Sequence, residues 1–178
     1  MPEGVDGGEV QLVRWHAGMA DGLAAAFIES EPALRAWIPS AASEQENAEG
    51  FIALCAAAFA VGSSYAYAVV SGGIAGYCNV TPAGPSAKLA YWIRSGRTRQ
   101  GLGTAAVRAL TDATFAAIPA LSRIEAHVDS ENKASRRVAE RAGYRLRGSV
   151  GRLPRTASES TLELVFVIER GEAARLRD

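Results

Sequence analysis

The chain reads as an α+β fold, a mixed but mostly antiparallel sheet of six to seven strands flanked by about four helices. Three observations predict it. Short β-rich runs at 64–70, 74–80 and 88–93 are separated by turn signals rather than helices, the pattern of an antiparallel meander. After Arg94 the pattern changes to helix, strand, helix, strand, which is one crossover unit. No linker divides the 178 residues, a length at which one core buries roughly 70% of the unfolded surface.

The elements follow in order. Residues 1–9 are acidic and Gly-rich and read as a flexible tail, residues 10–170 as a single domain, and 171–178 as a charged C-terminal tail. VQLVRW at 10–15 is a first strand by β-branched content. From Gly18 to Trp37 the spacing of Leu23, Phe27, Leu34 and Trp37 is helical and ends at Pro39, giving one broken helix or two short ones. Ser43 with Glu46 three residues on forms a capping box for a helix running to Gly62. Ser71-Gly72-Gly73 joins two strands as a hairpin, because adjacent glycines accept the positive φ of a tight turn. KLAYWI at 88–93 continues the meander. A helix from about Gly101 to Ala117 stops at Pro119, RIEAHV forms a strand at 123–128, and a helix from Asn132 to Ala142 is closed by Gly143. YRLRG at 144–148 and LELVFVI at 162–168 are the last strands.

Composition narrows the function. Nineteen Lys plus Arg balance nineteen Asp plus Glu, so the basic excess of a general nucleic-acid binder is missing. The longest apolar run, Phe51 to Val61, is about half of what a membrane-crossing helix needs. No basic, apolar leader opens the chain, so the expectation is a cytoplasmic protein without a membrane partner. Cys55, Cys78, His16 and His127 have no ligand spacing, so no metal is expected. The zero total hides a split: residues 1–93 carry three basic and nine acidic residues, a sum of −6, and residues 94–178 sum to +6. This is either a hint of an anionic ligand in the second half or two halves that pair in the fold.

Arg97-Thr98-Arg99-Gln100-Gly101-Leu102-Gly103-Thr104 sits between a strand and a helix. The first amides of a helix have no internal partners and lie at the positive end of its dipole, so a phosphate fits there when glycines leave room. Arg97 and Arg99 would add charge. An ordinary Gly-rich helix start is the competing reading. Gly101-x-Gly103-x-x-Ala106 also matches the dinucleotide fingerprint, but seven residues, 94–100, separate it from the strand and the preceding strands form a hairpin, so that reading is rejected.

Along RIEAHV, Arg123, Glu125 and His127 share one face. On the next helix Ala134, Val138 and Ala142 are the expected core stripe, leaving Asn132 and Ser135 as neighbours on an adjoining face able to hold a polar chain. For Asn132, helix capping is the alternative.

These residues resemble the GCN5-related N-acetyltransferases, whose acetyl-coenzyme A motif opens a helix after a central strand. Tyr91-Trp92-Ile93, Gly101-x-Gly103-Thr104 and Glu125-Ala-x-Val-Asp-x-x-Asn132-x-x-Ser135-x-x-Val138-x-x-x-Ala142-Gly143-Tyr144 resemble the branch of ribosomal-protein N-terminal acetyltransferases (RimJ/RimL-like), over about residues 64–150, with a looser match at 34–40. The chain departs from the pattern at Thr98, where Arg or Gln is usual, and at Ala139, where many members carry a Tyr acid. The resemblance implies acetyl-coenzyme A as acyl donor without a metal, held by Trp92, Ile93, Arg94, Arg99, Gln100, Gly101, Leu102, Gly103, Thr104, Asn132 and Ser135. Strand amides around Trp92 to Arg94 would stabilise the oxyanion, and Ser135 would be the hydroxyl near the leaving sulfur.

Glu125 is the first candidate for the base, through water, and His127 on the same face the second. An ion pair with Arg123 is the alternative for Glu125. Trp37 and Tyr91, with Trp92, are candidates for an aromatic acceptor wall, against a core role for each. Tyr144 reads as core. The expected acceptor is a protein N-terminal amine, with a small amine such as an aminoglycoside or polyamine as alternative. A non-catalytic acyl-coenzyme A binding module is the remaining reading, and homodimerisation is a family expectation.

Overall fold

The computed structural model describes residues 1–38 and 47–175. Eight strands form one sheet, β1 (Gly4–Asp6), β2 (Gln11–Arg14), β3 (Tyr65–Val70), β4 (Ile74–Ala83), β5 (Ser86–Ile93), β6 (Arg123–Asp129), β7 (Arg145–Gly151) and β8 (Leu162–Glu169). The order is β1-β2-β3-β4-β5-β6-β8-β7, antiparallel throughout except for β5 and β6, which run parallel. The helices are α1 (Ala20–Trp37), preceded by a 3-10 turn at Ala17–Met19, then α2 (Ala48–Ala60), α3 (Leu102–Ala117), α4 (Lys133–Arg141) and α5 (Arg170–Arg175).

The mixed α+β architecture and the crossover agree with the sequence reading, with eight strands where six to seven were expected and five helices where about four were, and three local details differ. Residues 4–6 are a strand paired to β2, not part of a tail, with Gly4 opposite Val13 and Asp6 opposite Gln11. At the other end, residues 170–175 are helical and bury Ala173, so the expected tail boundary at 171 falls inside α5. The segment from Ala20 to Trp37 is one helix despite Pro32, not two. The Ser43 and Glu46 capping box lies outside the described residues; the cap seen on α2 is Asn47, whose Oδ1 accepts from Gly50 N–H at 2.8 Å.

Strand alternation separates two cores. On one face Leu12, Tyr67, Val69, Val80, Leu89, Ile124, Val128 and Phe166 pack against Leu102, Ala106 and Leu110 of α3 and Ala139 of α4. On the other, Trp15, Ala66, Ala68 and Trp92 pack against Leu23, Phe27 and Leu34 of α1 and Ile52 of α2. Phe27 stacks on Trp92 with centroids 5.3 Å apart, and Phe51 meets Phe27 edge-on at 5.8 Å. Such pairs add about 0.5–1.5 kcal/mol beyond the area they bury. Because α1 and α2 come before β3 in the chain, their core covers β2 to β5.

Candidate active site

The site begins where β5 loses its partner. Ser86 to Leu89 pair with Arg123 to Ala126, and from Ala90 to Ile93 β5 is paired with β4 alone. Arg94 N–H donates to Ala75 O at 2.8 Å across to β4. Strand alternation then turns the Trp92 N–H the same way, and those of Tyr91 and Ile93 towards the side where pairing with β6 has ended. Of the amides expected to hold an oxyanion, Arg94's is therefore committed to the sheet and Ile93's is not.

The loop after β5 is tightly built. A 3-10 turn over Ser95–Arg97 leads to extended Thr98, then Arg99 at φ 63°, the only described non-glycine with positive φ, and Gly101 at φ 83°. Two left-handed residues so close together need external support, because a side chain at positive φ is strained. The support comes from α1. Glu29 accepts from Gly96 N–H at 2.7 Å and pairs with Arg94 Nε at 2.6 Å, while Ser95 N–H donates to Ser30 Oγ at 3.0 Å. The Gly96 amide, and then Arg94, hold the Glu29 carboxyl below its ordinary pKa.

Side chains brace the loop from within: Thr98 Oγ1 donates to Ser95 O, and Arg97 Nε donates to Gln100 Oε1 at 3.2 Å. So Thr98, Arg97 and Gln100 serve the loop first. Arg99 is exposed and makes no hydrogen bond among the described residues.

At the helix start Ala105 N–H reaches back to Gly101 O at 3.0 Å, so the amides of Leu102, Gly103 and Thr104 precede the first i−4 bond of α3. Gly101, the N-cap, contributes no side-chain cap. A Cβ on Gly103 would sit 3.3 Å from Ile93 Cγ1, 3.5 Å from Tyr91 Cε2 and 3.6 Å from Val138 Cγ2, so this glycine lets α3 approach both β5 and α4. Amides ahead of the first i−4 bond, two left-handed positions and an exposed Arg99 are the features from which an anion site is built.

On α4, Asn132 caps the helix with Oδ1 accepting from Ser135 N–H at 3.0 Å, the capping role realised, and its side-chain N–H₂ remains available. Of the expected stripe of Ala134, Val138 and Ala142, the last two face the core and Ala134 does not. Ala134 is exposed, whereas Ser135, Val138, Ala139 and Ala142, at i, i+3, i+4 and i+7, face inward. Ser135 is thereby carried towards Tyr91, a residue whose side chain lies on the α3 and α4 side of the sheet. The phenol oxygen of Tyr91 is buried, with the Ser135 side chain beside it. Burial pushes the Tyr91 pKa up to about 12, with Ser135 working in the opposite direction.

Glu125 and His127 point to the opposite face, with Trp92. There the Arg123 ion pair weighed for Glu125 is present, Nε to Oε1 at 2.8 Å, and His127 Nε2 meets the other oxygen at 3.1 Å. Both contacts, Arg123 first, lower the Glu125 pKa. The second ring nitrogen of His127 is 2.9 Å from Glu163 Oε2, so both nitrogens face carboxylates.

Beyond Glu163 the β7–β8 loop carries a second network. Arg152 bonds Asp129 at 2.6 Å and pairs with Glu159 at 2.9 Å, and Arg155 pairs with Glu159 at 2.7 Å. Thr156 Oγ1 donates to Ala36 O at 2.7 Å and ties this loop to the end of α1 beside half-buried Trp37. Trp92 is 7% exposed and stacked, a core residue of the α1 and α2 side. Tyr91 and Trp37 thus lie on opposite faces and do not form one wall.

Glu29, Ser30, Glu163 and Arg152 carried no sequence signal. Their partners lie 23 to 67 residues away, and nothing in local spacing announces such pairs.

Among the described residues no helix is long and apolar enough to cross a membrane, and no three His, Cys, Asp or Glu side chains gather as a metal site. The fold is that of known acetyltransferases. Mycobacterium smegmatis RimJ in complex with CoA-disulfide superposes with TM-score 0.84 at 25% identity, over 97% of this chain and 90% of that one. The microcin C7 self-immunity acetyltransferase MccE, in complex with acetyl-CoA and AMP, gives 0.82 at 18%, over 95% and 97%. RimL, the ribosomal L7/L12 alpha-N-protein acetyltransferase, in complex with coenzyme A, gives 0.80 at 17%, over 91% and 94%. No curated protein sequence matches the chain. The family model described as "Acetyltransferase (GNAT) domain" matches residues 10–145, and the chain belongs to that family.

Proposed function

We propose that the protein moves the acetyl group of acetyl-coenzyme A to a free α-amine at a protein N-terminus. The cradle of Arg99, Gly101, Leu102, Gly103 and Thr104 supplies outward amides and one unpaired guanidinium for the donor's phosphates. The Asn132 amide suits its polar arm. The donor contributes the activated thioester; the chain aligns the two reactants, which is worth about 7–11 kcal/mol of barrier when the geometry is right. The Ile93 N–H is placed to receive developing negative charge on the carbonyl oxygen.

The choice of acceptor rests on one observation: both oxygens of Glu125 and both nitrogens of His127 are already engaged. Groups already committed to one another in this way suit an amine that is substantially neutral near pH 8 and asks little of a base. An α-amine has a pKa of about 7.7–8.0, against about 10.4 for a lysine side chain. In this account Glu125 orders Arg123 and His127 and does not itself take the amine proton. RimL, a ribosomal L7/L12 alpha-N-protein acetyltransferase that shares the fold, fits an acceptor of this kind.

The test is thiol release from acetyl-coenzyme A with three acceptors: unblocked peptides, Nα-acetylated lysine peptides, and a set of aminoglycosides and polyamines. Turnover confined to unblocked peptides is expected. Turnover confined to the small amines would overturn the acceptor, and thiol release with none of them would overturn transfer itself.

A further inference from the structure

We propose that the outer face of α2 is the contact between two copies of this chain, packed antiparallel about a two-fold axis at Ala57. The inference goes beyond the transfer reading and does not depend on it. It starts from the apolar run Phe51 to Val61, which is too short to cross a membrane and which the transfer site leaves unused. A helix lying on a sheet normally turns an apolar stripe inward and charges outward. α2 does the first, burying Ile52 and Phe59. It does not do the second. Glu49, in the first turn, is its only charged residue, and Ala53, Leu54, Ala57 and Ala60 are exposed, as is Val61 at the helical C-cap.

Leu54 is 73% exposed and Val61 78%, and α1, which meets α2 through Phe27 and Phe51, adds Ile28 at 73%. A contiguous uncharged helix face with its large side chains in water marks a surface that a partner covers. The order of large and small residues says which partner. A two-fold contact is self-complementary: if residue i meets residue j, then j meets i. For antiparallel helices meeting at Ala57, Val61 falls opposite Ala53 of the second copy and Leu54 opposite Ala60, so each large side chain meets a small one. Ala57 meets itself, and its small side chain lets the two helices approach closely. Glu49 falls outside the paired stretch, so no like charges are brought together.

Through Ile52, α2 lies on the sheet face opposite α3 and α4, so the contact and the donor site are separate. One helix face is smaller than a standard interface, and the dimer it holds is weak, with a dissociation constant on the order of 10–100 μM. Sedimentation equilibrium of the full chain tests this. Wild type should pass from monomer to dimer between about 1 and 300 μM. Ala57→Glu changes an exposed helical position to a residue helices accept, so it should stay monomeric over that range, with the melting temperature and acetyl-coenzyme A affinity of the wild-type monomer.

A second readout locates the axis. In a Cys55→Ala background, mild oxidation of Ala57→Cys should join two chains, because residues at a close two-fold axis bring their Cα atoms within the roughly 4.4–6.8 Å a disulfide needs. Ala53→Cys in the same background, a turn away from the axis, should not crosslink. A wild type that stays monomeric at about 300 μM would overturn the proposal and leave the face to a different partner. So would a dimer that Ala57→Glu fails to disrupt, or one that Ala57→Cys crosslinks no faster than Ala53→Cys.

Discussion

Two loops of similar length frame the site and treat charge in opposite ways. In the β5–α3 loop, positive groups and amides outnumber acceptors: Arg99 is unpaired and the amides opening α3 face outward. In the β7–β8 loop every described charge is matched, with Arg152 between Asp129 and Glu159, and Arg155 on the same Glu159. Burial sharpens the contrast, since the Asp129 and Glu159 side chains are 5% and 1% exposed. An open positive surplus binds an anion; a closed, buried network holds a loop in place. The +6 of the second half of the chain is therefore not one property. The β7–β8 network, two arginines against Asp129 and Glu159, sums to zero, so the surplus lies elsewhere, with Arg99 of the β5–α3 loop part of it.

Arg152→Ala should break the comparison most visibly. It removes the guanidinium shared by two buried carboxylates, leaving Glu159 to Arg155 and Asp129 to the Glu131 and Ser160 amides, and removing one partner of a buried pair costs about 3–5 kcal/mol. Denaturant unfolding checks the loss, and acetyl-coenzyme A affinity of the folded fraction should stay near wild type. Arg99→Ala should behave in reverse: affinity for acetyl-coenzyme A falls about 10-fold, as for loss of a charge-assisted bond, with unchanged melting temperature. Calorimetric titration at two salt concentrations checks it, because an exposed charge contact weakens with salt.

Glu29→Gln acts between the two regions. It loosens the clamp on Gly96 and Arg94, and its expected effect is a rise of about 3-fold in the KM for acetyl-coenzyme A with kcat held, read by steady-state kinetics. The smallest effect at neutral pH is the acid response of the β7–β8 network. Burial works against the charge on Glu159, yet Arg155 and Arg152 hold its pKa down to about 2 from 4.5. Its stabilisation is then fully present above pH about 4.5 and is lost as pH falls towards 2. Asp129 shifts the same way: burial opposes its charge, and the Glu131 and Ser160 amides with Arg152 outweigh it. Thermal melts of wild type across that window should fall more steeply than those of Arg152→Ala.

The sequence made some of this visible and hid the rest for physical reasons. The Gly72-Gly73 hairpin and the Gly101-x-Gly103 helix start are local: their φ values of 63°, 122° and 83° are demands that only nearby residue types satisfy. β1 was hidden because Gly4-Val5-Asp6 has no alternation of its own and is a strand only through β2. The start of the α4 stripe was misplaced at Ala134, with Val138 and Ala142 inward as expected, because alanine is indifferent to burial. In a helix of nine residues, Ala134 and Ser135 are equally good starting points for a stripe. The engagement of Glu125 had a local half, Arg123 two residues away, and a remote half, Glu163 acting through His127. Contacts such as Glu29 to Gly96 belong to tertiary packing, and no local pattern encodes them.

The most direct test of the central claim, that the outward amides after β5 are the donor's cradle, is the acetyl-coenzyme A dissociation constant of Gly101→Val beside wild type. A β-branched residue at φ 83° cannot keep that backbone, and affinity should fall on the order of 100-fold in a variant that still melts cooperatively. Equal dissociation constants for the two proteins would contradict the account.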